Sequence, residues 1–326
     1  MGQLFWASAL VILTSVAGFP QTDNWIARMY EGAAAETAGD YAKAASAYRA
    51  ATEIAEEFEH RDRRRVLAWN AMATMYDTLG RFADAEAGYR RALKEAEQAT
   101  GKSGPEYAQV LLNLGASFVQ TGQAAAGESL VREALAIYSA ADPADEFHTA
   151  AAQNGLAEIL CLAGKYQEAK PLLTRSLATL EKNPRAWGET ALARNSLGVV
   201  RFLEGNPQEA RQLILQGLAM MEQHLGLDHP MLLRFLSNLA SLENRTGHRE
   251  EAGQYLRRSL DIAERRLGSE HPSYARLLAN YAVFLREGGD KSGAKLLEAQ
   301  STRILTDIRR RNGLGAVIDV RSLRSK

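Results

Sequence analysis

Seven glycines, Gly39, Gly80, Gly122, Gly164, Gly205, Gly247 and Gly289, recur at intervals of 41, 42, 42, 41, 42 and 42 residues. Only 26 of the 326 residues are glycine, so a column filled seven times sets a period rather than reflecting abundance. Five residues after each glycine stands a small residue: Ala44, Ala85, Gly127, Ala169, Ala210, Ala252 and Ala294. A second small column lies seven residues before it (Gly32, Ala73, Gly115, Ala157, Gly198, Ala240, Ala282). A third lies twelve after it (Ala51, Ala92, Ala134, Ser176, Gly217, Ser259, Ser301). Four columns in register make the chain a tandem array.

The repeating unit is a pair of helices. Apolar residues between the glycines fall at helical spacing, as in Met72, Met75, Tyr76 and Leu79 or Leu111, Leu114 and Phe118, without the alternation that strands require. Each column glycine follows the last apolar residue of a first helix, where a left-handed conformation ends the helix without a Cβ penalty. The small columns mark places where helix axes approach to roughly 8–10 Å and no large side chain fits. The expectation is an all-α solenoid of seven helix pairs.

A small residue, glycine seven on, alanine five further and a third small residue seven beyond that resembles the tetratricopeptide repeat (TPR). So does the apolar or aromatic residue four past the first alanine, in Tyr48, Tyr89, Val131, Leu173, Ile214 and Leu256, and Trp69 falls at that repeat's tryptophan position. The usual period is 34 residues. The longer one here resembles the kinesin-light-chain type, as does Leu225-Gly226-Leu227-Asp228-His229-Pro230 recurring as Leu267-Gly268-Ser269-Glu270-His271-Pro272. Ser237-Asn238-Leu239-Ala240, Arg258-Ser259-Leu260 and Ile262-Ala263-Glu264 add to the likeness. It covers residues 25 to 310 and implies a right-handed α-α superhelix of seven TPR pairs. For function it implies less, because a shared fold serves many unrelated systems. The His-Pro loop is complete only before repeats six and seven; Gly101 and Pro105 keep part of it, and Asp142-Pro143 and Asn183-Pro184 replace it. Glu31, Glu298 and Thr302 occupy apolar columns of the terminal repeats, as end caps of a stacked array would.

Length alone suggests two domains, but the unbroken period predicts one array over residues 19–312. The 39 basic and 39 acidic residues cancel, which gives no reason to expect nucleic acid. Arg61, Arg63, Arg64 and Arg65, and Arg309, Arg310 and Arg311, read as solvated helix ends, with a phosphate or partner patch as the alternative. Residues 1–18 stand outside the array. Leu4 to Val16 is a mostly apolar, uncharged stretch followed by small residues that suit cleavage after Ala17 or Gly18. It predicts a signal peptide and an exported protein, periplasmic or extracellular; an uncleaved membrane anchor is the alternative, and the only membrane association expected. The single cysteine, Cys161, excludes an intrachain disulfide and reads as a packed, inert thiol.

No catalytic residues are expected. None of the six histidines has zinc-ligand spacing with cysteine or another histidine, and Gly101-Lys102-Ser103 lacks the upstream glycine of a phosphate-binding loop. His229 and His271, each before a proline, read as loop-packing or capping residues. No cofactor or metal is implied, and the chain is read as a non-enzyme.

The informative polar feature is a ladder of asparagines, one per first helix from the second repeat on: Asn70, Asn113, Asn154, Asn195, Asn238 and Asn280. The family resemblance implies that these helices line a concave groove and that the amides hold the backbone of a bound peptide. An amide donates and accepts, so it can pair with an extended chain of any sequence; it can equally bond within the array. Arg234 and Arg276 occupy equivalent positions, with Arg245 near them, while Leu192, Val199 and Phe202 are apolar and Asp77 and Glu158 acidic. The expected partner is a protein or peptide segment with acidic residues at one end. The alternative is an assembly module of an envelope or secreted complex that self-associates. Residues 313–326 form a tail beyond the repeats.

Overall fold

The computed structural model describes residues 20–141 and 146–312. The proposed leader, the tail and the Asp142-Pro143 loop therefore lie outside the described residues. Fourteen α-helices and no strand occur among them, as the period predicted. They fall into two compact units that divide after Leu180.

The first unit holds four pairs: α1 (Pro20–Thr37) with α2 (Tyr41–Ala55), α3 (Arg63–Thr78) with α4 (Phe82–Thr100), α5 (Pro105–Gln120) with α6 (Ala124–Ala140), and α7 (Glu146–Leu162) with α8 (Tyr166–Leu180). Within it α2, α4 and α6 also pack on α3, α5 and α7, and α3, α5 and α7 touch in sequence. The second unit opens with a 3-10 turn, Pro184–Ala186, and holds three pairs: α9 (Trp187–Leu203) with α10 (Pro207–Leu225), α11 (Leu232–Arg245) with α12 (Arg249–Leu267), and α13 (Pro272–Glu287) with α14 (Lys291–Arg311). There α9, α11 and α13 are the successive first helices in contact.

The column glycines do what the period requires. All seven have φ between 73° and 90°. At Gly80 the Arg81 N–H donates to Tyr76 O at 2.8 Å and the Gly80 N–H to Asp77 O at 3.0 Å; this double closure satisfies carbonyls that the helix end would orphan. The same pair of bonds closes the other six first helices. Starts are set by side chains: Asp40, Asp62 and Asp290 accept from backbone N–H groups of α2, α3 and α14. Pro105, Pro207 and Pro272 enter where a missing N–H is harmless.

Packing follows the small columns. Ala85, Ala169 and Ala252 are fully buried. A Cβ on Gly115 would stand 2.7 Å from Val131 Cγ2, and one on Gly198 2.6 Å from Ile214 Cγ1. Tyr48, Tyr89, Val131, Leu173 and Ile214, four residues past the first small column, are buried to within a percent or so. Each such residue contributes about 1.5–3 kcal/mol of transfer free energy.

One expectation fails. Arg65 is not a solvated helix start: it is 1% exposed and reaches Glu95 of α4 at 2.8 Å and Glu56 at 2.7 Å. It also donates to the Ala55 and Glu56 carbonyls that end α2. Helical rotation separates it from Arg64, which pairs with Asp62 and lies over the Phe58 ring. Arg63 meets Glu106.

Candidate protein-binding face

The asparagine ladder is built by the contacts between successive first helices. In the first unit Asn113 Nδ2 donates to Asn70 Oδ1 at 3.0 Å, across 43 residues of sequence. Gln109 Nε2 donates to Asn113 Oδ1 at 3.4 Å, and Tyr138 donates its hydroxyl to Gln109 Oε1 and Pro105 O. Two turns further along the helices Asp77 accepts from Ser117 Oγ and from Gln120 Nε2 at 2.7 Å. Asn70 and Asn113 are 2% and 4% exposed, and Asn154 and Glu158 are also buried. No donor among the described residues reaches Asn154 Oδ1.

In the second unit the ladder opens outward toward its last asparagine. Asn195 is buried and accepts from Asn238 Nδ2 at 2.9 Å, but Asn238 is half-buried and Asn280 exposed. Arg245 is exposed, and its guanidinium lies 5.0 Å from the centre of the half-buried Phe202 ring. Arg276 is exposed and donates to Ser273 Oγ at 3.3 Å; Arg234 is half-buried. Leu192 is buried and Val199 half-buried. Asn244 bridges α11 and α13 by donating to Glu287 while accepting from Arg249. The structure thus joins Asn70 to Asn113, Asn195 to Asn238 and Arg245 to Phe202. The period gave no sign of the supporting Gln109, Gln120 and Asn244, because they stand outside its columns.

The remaining polar candidates are structural. His271 Nδ1 accepts from the Ser273 N–H at 3.0 Å and caps α13, and His229 Nδ1 accepts from Met231 N–H at 3.2 Å. Burial, with Glu158 adding to it, pushes the half-buried Cys161 thiol up to about 12, so it stays protonated and unreactive at neutral pH. Among the described residues no group of three His, Cys, Asp or Glu side chains could hold a metal ion. Nor is any described helix long and apolar enough to cross a membrane.

Helix pairs stacked at a fixed interval, with a polar column along the first helices, define an α-solenoid repeat protein. The chain belongs to the tetratricopeptide repeat family, whose model matches residues 64–140, 148–223 and 231–307. No curated protein matches the sequence. Among solved structures, a Rap protein complexed with Competence and Sporulation Factor is 15% identical, with 94% of this chain and 81% of that one covered and a TM-score of 0.68. The Rap conjugation gene regulator of the plasmid pLS20, in complex with the Phr* peptide, is 10% identical over 97% of this chain and 98% of that one, TM-score 0.58. A putative kinesin light chain from Podosopora anserina with nearly identical TPR-like repeats is 26% identical over 63% of this chain and 98% of that one, TM-score 0.46. At the identities of the two Rap proteins the likeness is one of fold.

Proposed function

We propose that the chain is a non-catalytic protein-interaction scaffold that holds a peptide segment on the first-helix face of its second unit. The observation that carries this reading is the exposure of Asn280. Its counterpart Asn113 donates to Asn70 and is closed to solvent, whereas Asn280 keeps donor and acceptor available to an extended backbone. Arg245, Arg276 and Arg234 supply positive charge to the same face, which favours a segment with acidic residues at one end; Phe202 and Val199 supply its apolar part. The peptide held by the pLS20 Rap regulator, a protein of like fold, supports the class of ligand.

The test begins with capture of partners from the native host by the full chain and proceeds to titration of the captured segment. Asn280→Ala, or Arg234→Glu with Arg276→Glu, should weaken binding roughly ten- to a hundredfold, the loss of a charge-assisted or amide hydrogen bond or two, while helicity stays unchanged. Equal affinity would remove this face from the reading. A stable oligomer on size exclusion, with no partner retained, would favour the assembly module instead. Export belongs to the same proposal: the mature protein should begin at Gly18 or Phe19, which amino-terminal sequencing reads directly.

A further inference from the structure

Glu36 is a buried acid that the binding face does not use, and it is set into a packing contact between helices. It stands in the last turn of α1 and is 6% exposed. Tyr48 of α2 donates its phenol to Glu36 Oε2 at 3.1 Å. The same ring carries the close approach of α1, since a Cβ on Gly32, one turn earlier, would lie 2.4 Å from Tyr48 Cε1. The helix is therefore seated on Tyr48 twice, by its backbone and by its carboxyl.

The groups around Glu36 come from every neighbouring helix. The Tyr41 and Tyr48 phenols act from α2, and Tyr89 of α4, which senses Asp77 of α3 as well as Glu36, completes the cluster. On α1 itself Glu31 is engaged by Arg28, and Asp40 beyond it caps α2. Burial in this company of phenols and carboxyls disfavours the anion more than the Tyr48 hydrogen bond favours it. The carboxyl is pushed up to about 8.

We propose that Glu36 makes α1 a pH-sensitive end cap, seated while the carboxyl keeps its proton and released when it ionises. α1 packs chiefly on α2, and an end element of a repeat array opens at the lowest cost. Release uncovers Tyr48 and the small face of α2 around Ala44 and leaves the later pairs stacked. Because the seated helix holds a proton that the released one gives up, the opening equilibrium rises about tenfold per pH unit below the seated value and levels above it.

Hydrogen exchange of the full chain, corrected for the intrinsic pH dependence of amide exchange, tests this. Between pH 6 and pH 8 the opening constant of α1 amides should climb about tenfold per unit, while amides of α5 and α6 keep theirs. Glu36→Gln should abolish the climb. A flat wild-type profile, or the same slope in wild type and Glu36→Gln, overturns the proposal. Should Glu36→Gln fail to fold, Tyr48→Phe keeps the ring under Gly32 and removes the donor that favours the anion, so the climb should extend to higher pH. An unmoved profile there also overturns it.

Discussion

An added methyl group tells two kinds of glycine apart. On Gly127 of α6 it would stand 2.5 Å from the Gly115 carbonyl oxygen and 2.8 Å from Val119 Cγ2. A backbone oxygen has no rotamer to give, so Gly127→Ala forces the two helices apart at a cost of about 1–3 kcal/mol. On Gly101 the same methyl meets open space, and the only penalty is φ of 77°, about 1 kcal/mol for a left-handed alanine. Urea unfolding of the two variants should place Gly127→Ala well below Gly101→Ala in midpoint with little change in slope; equal losses would mean that the crossing repacks freely. The sequence announced Gly127 through its column, where other repeats carry alanine, but not why glycine is needed there. In repeat three the backbone at Gly115 on the facing helix closes directly on Gly127, although repeats one and five pair Gly32 and Gly198 in that column with Ala44 and Ala210.

Elements begin and join by local rules that the sequence shows only in part. Asp62 before Arg63 is a readable helix start, and its side chain does accept the Arg64 N–H. The burial of Arg65 three residues later is harder to see, because its partner lies thirty residues on. A signal existed: Glu95 sits in a column that holds Ile54, Ile262 and Ile304 in other repeats. Removing one charge, as in Arg65→Leu, leaves Glu95 buried with only Arg91 beside it and uncaps the end of α2, for a loss of about 3 kcal/mol. Arg65→Met with Glu95→Ile removes both charges and should recover most of that loss in thermal unfolding; a double variant no better than the single one would show that the pair itself stabilises the junction. The cap of α13 is simpler. His271→Ala should cost about 1 kcal/mol and His271→Asn, which keeps an acceptor for the Ser273 N–H, much less; calorimetry resolves the difference.

Across the molecule the repeat was legible because every pair obeys one packing geometry, while the state of each ladder amide was not. Asn113 and Asn280 share a column, yet the first is closed by Asn70 and Gln109 and the second is open. That difference depends on which side chains the neighbouring helices bring, not on the period. Buried acids raise the same difficulty and govern how the protein responds to pH. Burial pushes Glu36 up to about 8 and Glu189, in the first turn of α9, up to about 7. Both values lie above the unfolded value of 4.5, so the folded protein holds protons that the unfolded chain has released. Their contribution is complete below about pH 4.5 and is lost as pH rises through 7 for Glu189 and 8 for Glu36, at about 1.4 kcal/mol per pH unit for each group within its window. Glu128 works in the opposite sense: the Arg132 hydrogen bond, against some desolvation, and Lys165 hold it low, so its smaller, screened contribution disappears in acid. Stability measured by denaturant unfolding should therefore peak near pH 5 and decline toward pH 8. Glu36→Gln with Glu189→Gln should flatten that decline, and a wild-type curve that is flat from pH 5 to 8 would show that neither carboxyl keeps its proton in the fold.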